Sequence, residues 1–203
     1  MAKPLPTPVR NHLTGLRILL LFTVVCGLLY PLAITGISQV AFSHQANGSL
    51  VKANGKVVGS SLLGQDFTDA KGNPLAQWFQ PRPSAAGQNG YDPTASGASN
   101  LGPNDPGLTK TIQQRKADVA KFNGVQVSAV PPDAVTASGS GLDPDISPAY
   151  AYLQADRVAK ARGLDPAKVR ALVTAHVQSR NLGFLGEPRV NVLELNIALS
   201  TLS

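Results

Sequence analysis

The chain has 203 residues and a net charge of +6, with 15 % charged residues, 5 % aromatics, 19 glycines and 16 prolines. Lys3, Arg10 and Arg17 sit in an acid-free leader and the other basic residues are scattered among carboxylates. That argues against the basic, aromatic-interleaved stripe of a nucleic-acid binder. The only cysteine, Cys26, falls inside an apolar run, which excludes a disulfide framework or a thiolate metal site in the rest of the chain.

Ile18 to Phe42 contains no Asp, Glu, Lys, Arg or His. At ~1.5 Å per residue it is long enough to cross a ~30 Å hydrocarbon core as a tilted helix. Inside lipid every backbone polar group must be paired internally, so helix is the expected form, with a kink at Pro31. A cleaved signal peptide ending at Ala41-Phe42-Ser43 is the alternative, but the run far exceeds the ~7–15 residues of a signal core. The expected layout is a cytoplasmic leader (1–17), a transmembrane helix (18–42) and an extracytoplasmic domain (43–203). Its orientation is read from the basic leader.

After the anchor, Asn54-Gly55 between two apolar runs predicts a hairpin over 49–63. Gln77-Trp78-Phe79-Gln80 reads as a short strand stopped by Pro81-Arg82-Pro83. Residues 83–107 are nearly all small or polar, so either a disordered linker or an ordered irregular layer fits them. Asp105-Pro106, Asp143-Pro144, Ser147-Pro148 and Asp165-Pro166 each predict a helix start, with a capping side chain ahead of a proline that needs no donor. Leu108, Ile112, Val119 and Phe122 give the first helical stripe, and Gly163 supplies a left-handed stop further on. Val125–Val127 and Asp133–Thr136 read as short strands. Val190–Leu199 suits a strand by content, but the cap-like Asn191 and Glu194 pair favours a helix. The sum is an α+β domain of about 160 residues, enough for one core.

No catalytic constellation emerges. Ser138-Gly139-Ser140-Gly141 lacks the nucleophile-elbow pattern, and Ser140, His176 and an aspartate have no defining spacing. His176 lies on an apolar helical face and reads as a hydrogen-bonded core residue; His44 and His176 have no metal-ligand spacing. The same glycine turn lacks the phosphate-loop pattern and reads as a tight turn.

An ordered series of motifs spans nearly the whole chain: Tyr30-Pro31-Leu32, Gly59 to Phe67, Trp78 to Ala85, Tyr91-Asp92, Ser96 to Pro103, Val135 to Pro144, Ile146-Ser147-Pro148, Arg157-Val158-Ala159 and Leu185 to Leu193. In this it resembles the C subunit of the Kdp-type potassium-transporting ATPases. Trp78, where the family usually has Tyr, and Asp145, where it often has His or Asn, are small departures. The resemblance implies an accessory, non-catalytic subunit in a cell-membrane complex. Its partners would be a channel-like potassium-selecting subunit, a P-type ATPase and a small single-helix peptide. It also implies a role in assembly, or alternatively a catalytic chaperone that raises ATP affinity, with Gln154 as the family's nucleotide-contacting glutamine and ATP as its ligand. The leader charges oppose direct contact, since they put Gln154 across the membrane from cytoplasmic ATP. Arg82, Tyr91, Asn100 and Arg189 are then interface candidates, with packing inside the domain as the plainer alternative for each. An anchored outer-surface hydrolase is the third and weakest reading.

Overall fold

The computed structural model describes residues 6–202; Lys3 of the basic leader lies outside them. The chain divides into two compact units, Met1–Ser49 and Leu50–Ser203.

The first unit is dominated by α1 (Thr7–Ala41), a 35-residue helix and, among the described residues, the one long and apolar enough to cross a membrane. Arg10 and Arg17 are part of this helix. Pro31 acts on it as a local widening. Its ring crowds the carbonyl four residues back and it has no N–H to offer. The turn Val25–Leu29 answers by becoming π-helical, with the Tyr30 N–H donating to the Val25 carbonyl. A short helical turn, Ser43–Ala46, follows.

The second unit is α+β, as the sequence indicates. It begins with the antiparallel hairpin β1 (Leu50–Ala53) and β2 (Lys56–Ser60). Asn54 and Gly55 both have positive φ (51° and 77°), as a type I′ turn requires. α2 (Pro106–Asn123), α3 (Pro148–Arg162), α4 (Pro166–His176) and α5 (Val192–Ser200) supply the helices. Their N-termini are capped by Asp105, Ser147, Asp165 and Asn191, each accepting from a backbone N–H two or three residues on. Gly124 and Gly163 close α2 and α3 in the left-handed conformation. A second two-stranded pairing joins β3 (Asp145–Ile146) to β4 (Val190–Asn191). The C-terminal stretch is therefore two strand residues followed by a helix, with Asn191 ending one and capping the other.

Four local expectations are corrected. Gln77–Gln80 is not a strand; it is a turn and an extended strap whose backbone partners are side chains, described below. Val125–Val127 fails as a strand because the left-handed Gly124 turns the chain back, the Val125 N–H donating to the Ala120 carbonyl, before a 3-10 turn at Val127–Ala129. The 133–136 strand is instead a 3-10 turn over Pro132–Ala134, because the Asp133 carboxylate is engaged by the N–H and hydroxyl of Ser147. Asp143-Pro144 starts no helix. Asp143 accepts from the Asp145 N–H two residues on, a local turn that feeds β3.

The core gathers Val158 of α3, Val169 and Val173 of α4, Leu195 and Leu199 of α5, and Val190 around the ring of Phe79, all without solvent exposure. Burying one such aromatic ring contributes about 2–3 kcal/mol. The inward face of α3 includes three alanines (Ala151, Ala155, Ala159) beside Tyr150, Gln154, Arg157 and Val158.

Residues 83–105 form an ordered irregular layer stitched to the 138–142 turn, and 106–107 already belong to α2. Ser84 Oγ donates to the Gly141 carbonyl at 2.6 Å and accepts from the N–H groups of Ala86 and Tyr91. The Ser140 carbonyl accepts from the Gly97 N–H and the Ser96 hydroxyl. Gly141 sits at φ +70°, where a Cβ would lie 2.7 Å from the Ala86 nitrogen and the Gly97 oxygen. Gly141→Ala is therefore expected to lower stability by about 2–4 kcal/mol in chemical denaturation. Gly139→Ala, with nothing within 4 Å of the new methyl, should change it by less than about 0.5 kcal/mol.

Candidate functional site

The most connected polar cluster lies on the strap of residues 76–82. Two buried amides grip consecutive residues of it. Asn196 of α5 accepts from the Phe79 N–H and donates to the Phe79 carbonyl, both at 2.9 Å. Gln154 of α3 does the same for Gln80, accepting its N–H at 2.7 Å and donating to its carbonyl at 3.0 Å. Each amide presents one donor and one acceptor, as a neighbouring strand would. The extended strap is thereby satisfied without a sheet.

Arg157, one turn beyond Gln154, completes the cluster. Its guanidinium donates to the Ala76 and Trp78 carbonyls, to Asn123 Oδ1 at 2.9 Å and to Gln154 Oε1 at 2.8 Å, and lies 4.4 Å from the centre of the Phe122 ring. Burial pulls its pKa down to about 10, so it stays charged at neutral pH. Arg162 stacks over Trp78 at 4.3 Å and donates to the Gln77 carbonyl. A groove of about 550 Å³ opens beside this cluster, lined by Lys121, Phe122, Asp156, Arg157 and Lys160 among others. Gln154 is not part of its wall; it is fully enclosed, and both ends of its amide are occupied.

The other sequence candidates fall into three places. Arg82 and Tyr91 meet: the Tyr91 hydroxyl donates to the Arg82 carbonyl, while the Arg82 guanidinium holds Asp143 at 2.8 Å and reaches the Thr136 carbonyl. Burial pushes the Tyr91 pKa up, so its hydroxyl keeps its proton. Arg189 pairs with Asp145 at 3.1 Å. Asn100 stands apart, exposed and at φ 53° on the surface of the irregular layer. His176 is half-exposed, with Nδ1 against the Leu172 carbonyl of its own helix. The Ser140 hydroxyl accepts from the Leu142 N–H within its turn.

Sequence reading missed Asn196 and Arg162. Asn196 carried a visible signal, an amide between Leu195 and Ile197 on a helix that is apolar nearly all round. Its partner lies 117 residues away, beyond any local pattern.

A helix long and apolar enough to cross a membrane, followed by an α+β domain whose buried Gln154, Asn196 and Arg157 bind its own backbone, fits a membrane-associated protein. The family model described as "KdpC: K+-transporting ATPase, c chain" matches residues 12–201, and the chain belongs to that family. It is 53 % identical to a potassium-transporting ATPase KdpC subunit of Kineococcus radiotolerans, over 98 % of this chain and 97 % of the relative. The KdpC subunit of Streptomyces avermitilis is 52 % identical over 93 % and 92 %, and that of Gemmatimonas aurantiaca 54 % over 89 % and 87 %.

The cluster and the domain's carboxylates each give a measurable outcome. Gln154→Ala leaves both backbone groups of Gln80 unpaired and strips Arg157 of one acceptor, so it should cost about 3 kcal/mol and lower the melting temperature. A ligand-contacting side chain without a structural role would leave melting unchanged. The second concerns acid titration. Burial, with the charge of Asp143, raises Asp145 above the ordinary 3.8 despite Arg189. Hydrogen bonds from Asn73 lower Asp69, and those from Thr94 lower Asp92. The raised Asp145 protonates more readily folded than unfolded, so its contribution to stability grows as pH falls through its folded pKa. Asp69 and Asp92 act oppositely, and their contribution is lost as pH falls through their depressed values. Carboxyl NMR titration should find Asp145 above 3.8 and the other two below it.

Proposed function

We propose that the chain is the accessory subunit of an ATP-driven potassium import complex, and that it acts as a brace without performing catalysis itself. In this reading α1 packs among the membrane helices of a channel-like potassium-selecting subunit, a P-type ATPase subunit and a small single-helix subunit. The domain from residue 43 onward stands outside the cytoplasm and supports the potassium entry side, with Arg82, Tyr91, Asn100 and Arg189 as candidates for its contacts. Any effect on ATP affinity is then a coupling between conformations of the complex.

The observation that carries this reading is the enclosure of Gln154: its side chain has no solvent exposure, its Oε1 accepts from the Gln80 N–H and from Arg157, and its Nε2 donates to the Gln80 carbonyl. The acid-free basic leader supports the same side of the membrane for the domain. The alternative, a chaperone that touches ATP through Gln154, requires the strap to open and the domain to face the cytoplasm.

Sidedness tests it. In a Cys26→Ser background, a cysteine placed by Ala95→Cys on the exposed loop layer is treated in intact cells with a membrane-impermeant maleimide. Labelling before lysis is the expected result. Labelling only after lysis would reverse the topology and overturn the brace in favour of nucleotide contact.

A further inference from the structure

Between α4 and β4 the chain makes a hairpin that projects from the domain, every residue from 178 to 188 being exposed. Its base is closed by reciprocal bonds between Gln178 and Arg189, at 2.8 and 3.0 Å. Its tip is closed by Asn181 and Leu185, whose N–H groups and carbonyls exchange bonds at 2.9 Å each way. The Gly183 and Phe184 N–H groups are also bonded inside the tip. At the end of this rigid finger stand Leu182 (83 % exposed), Phe184 (70 %) and Leu185 (49 %). Leu182 is held there at φ 54°, in the left-handed region that a leucine seldom adopts. A large apolar side chain fixed outward at a strained position is unfavourable for an isolated domain, and nothing inside the domain is stabilised by it.

The finger's charges narrow its partner. A tip that dips into lipid carries free Lys or Arg for the headgroups and Trp or Tyr at their level. Residues 178–189 contain no Lys, Trp or Tyr, and both flanking arginines are engaged, Arg180 with Glu187 at 2.6 Å and Arg189 with Asp145 at 3.1 Å. A charge-neutral, pre-ordered aromatic and aliphatic knob suits a dry pocket in another protein, where a few buried anchors dominate binding and little order is lost on docking. We infer that the tip of this hairpin, Leu182 and Phe184 above all, is a preformed plug. It seats in an apolar socket on a neighbouring protein subunit of the same complex. This rests on the accessory-subunit reading and names its docking element.

The test uses the full chain co-produced with the other subunits and purified through a tag on the ATPase subunit. Leu182→Ser with Phe184→Ser should release the chain from the washed complex at least about tenfold faster than wild type. Melting of the double variant should be unchanged, since both side chains are solvent-exposed. A photoreactive phenylalanine analogue at position 184 should crosslink in membranes to one other subunit. Unchanged retention of the double variant, crosslinks only to lipid, or crosslinks only to a second copy of this chain would each overturn the plug. If the wild-type chain itself failed to co-purify, the accessory-subunit reading would fall instead, so the two failures are distinguishable.

Discussion

Gln154 and Asn196, the two amides that clasp Phe79 and Gln80, stand where a larger protein would put a strand. Among the described residues the domain has two small sheets, each of two strands, and yet it runs an extended segment through its centre. Buried backbone groups must be paired, and each one left unpaired costs about 1–3 kcal/mol. Supplying the partners from side chains solves this and adds a geometric condition. α3 and α5 must stand on the strap at the register where each amide meets one residue. The ring of Phe79 is then delivered into the space between the helices, and the apolar core forms around it. Packing follows from this polar constraint as much as it creates it.

The two arginines packed against this strap obey the same logic. Arg157 and Arg162 form no ion pair among the described residues; they solvate the carbonyls of residues 76–78 and lie over the rings of Phe122 and Trp78. A planar cation with five donors suits a turn that offers several carbonyls close together. The result is a domain whose most connected polar groups are turned toward its own backbone.

Legibility in the sequence tracked the range of the interaction. The caps at Asp105, Ser147, Asp165 and Asn191, the Asn54-Gly55 turn and the stop at Gly163 are decided within four residues, and each was readable. The family could be read as well, because its motifs recur in order along the chain. The strands expected at 77–80, 125–127 and 133–136 failed because β-like residues there found non-strand partners far away or a turn close by. Asp143-Pro144 carried a valid cap signal, but Ser147-Pro148 lay only four residues on and took the helix. Gln154 was singled out through resemblance, whereas the bond that defines its environment spans 74 residues and no local pattern encodes it.

The widened turn ahead of Pro31 alters what the long helix can present. A single π turn holds one residue more than an α turn, and each residue advances the helix by about 100°. A line of side chains drawn along one side of residues 8–24 therefore does not continue along residues 30–41; it steps around the cylinder by roughly that angle. The two halves of the span thus look in different directions. One continuous rod can meet one neighbour in its first half and a different one in its second, with no break in the helix between them.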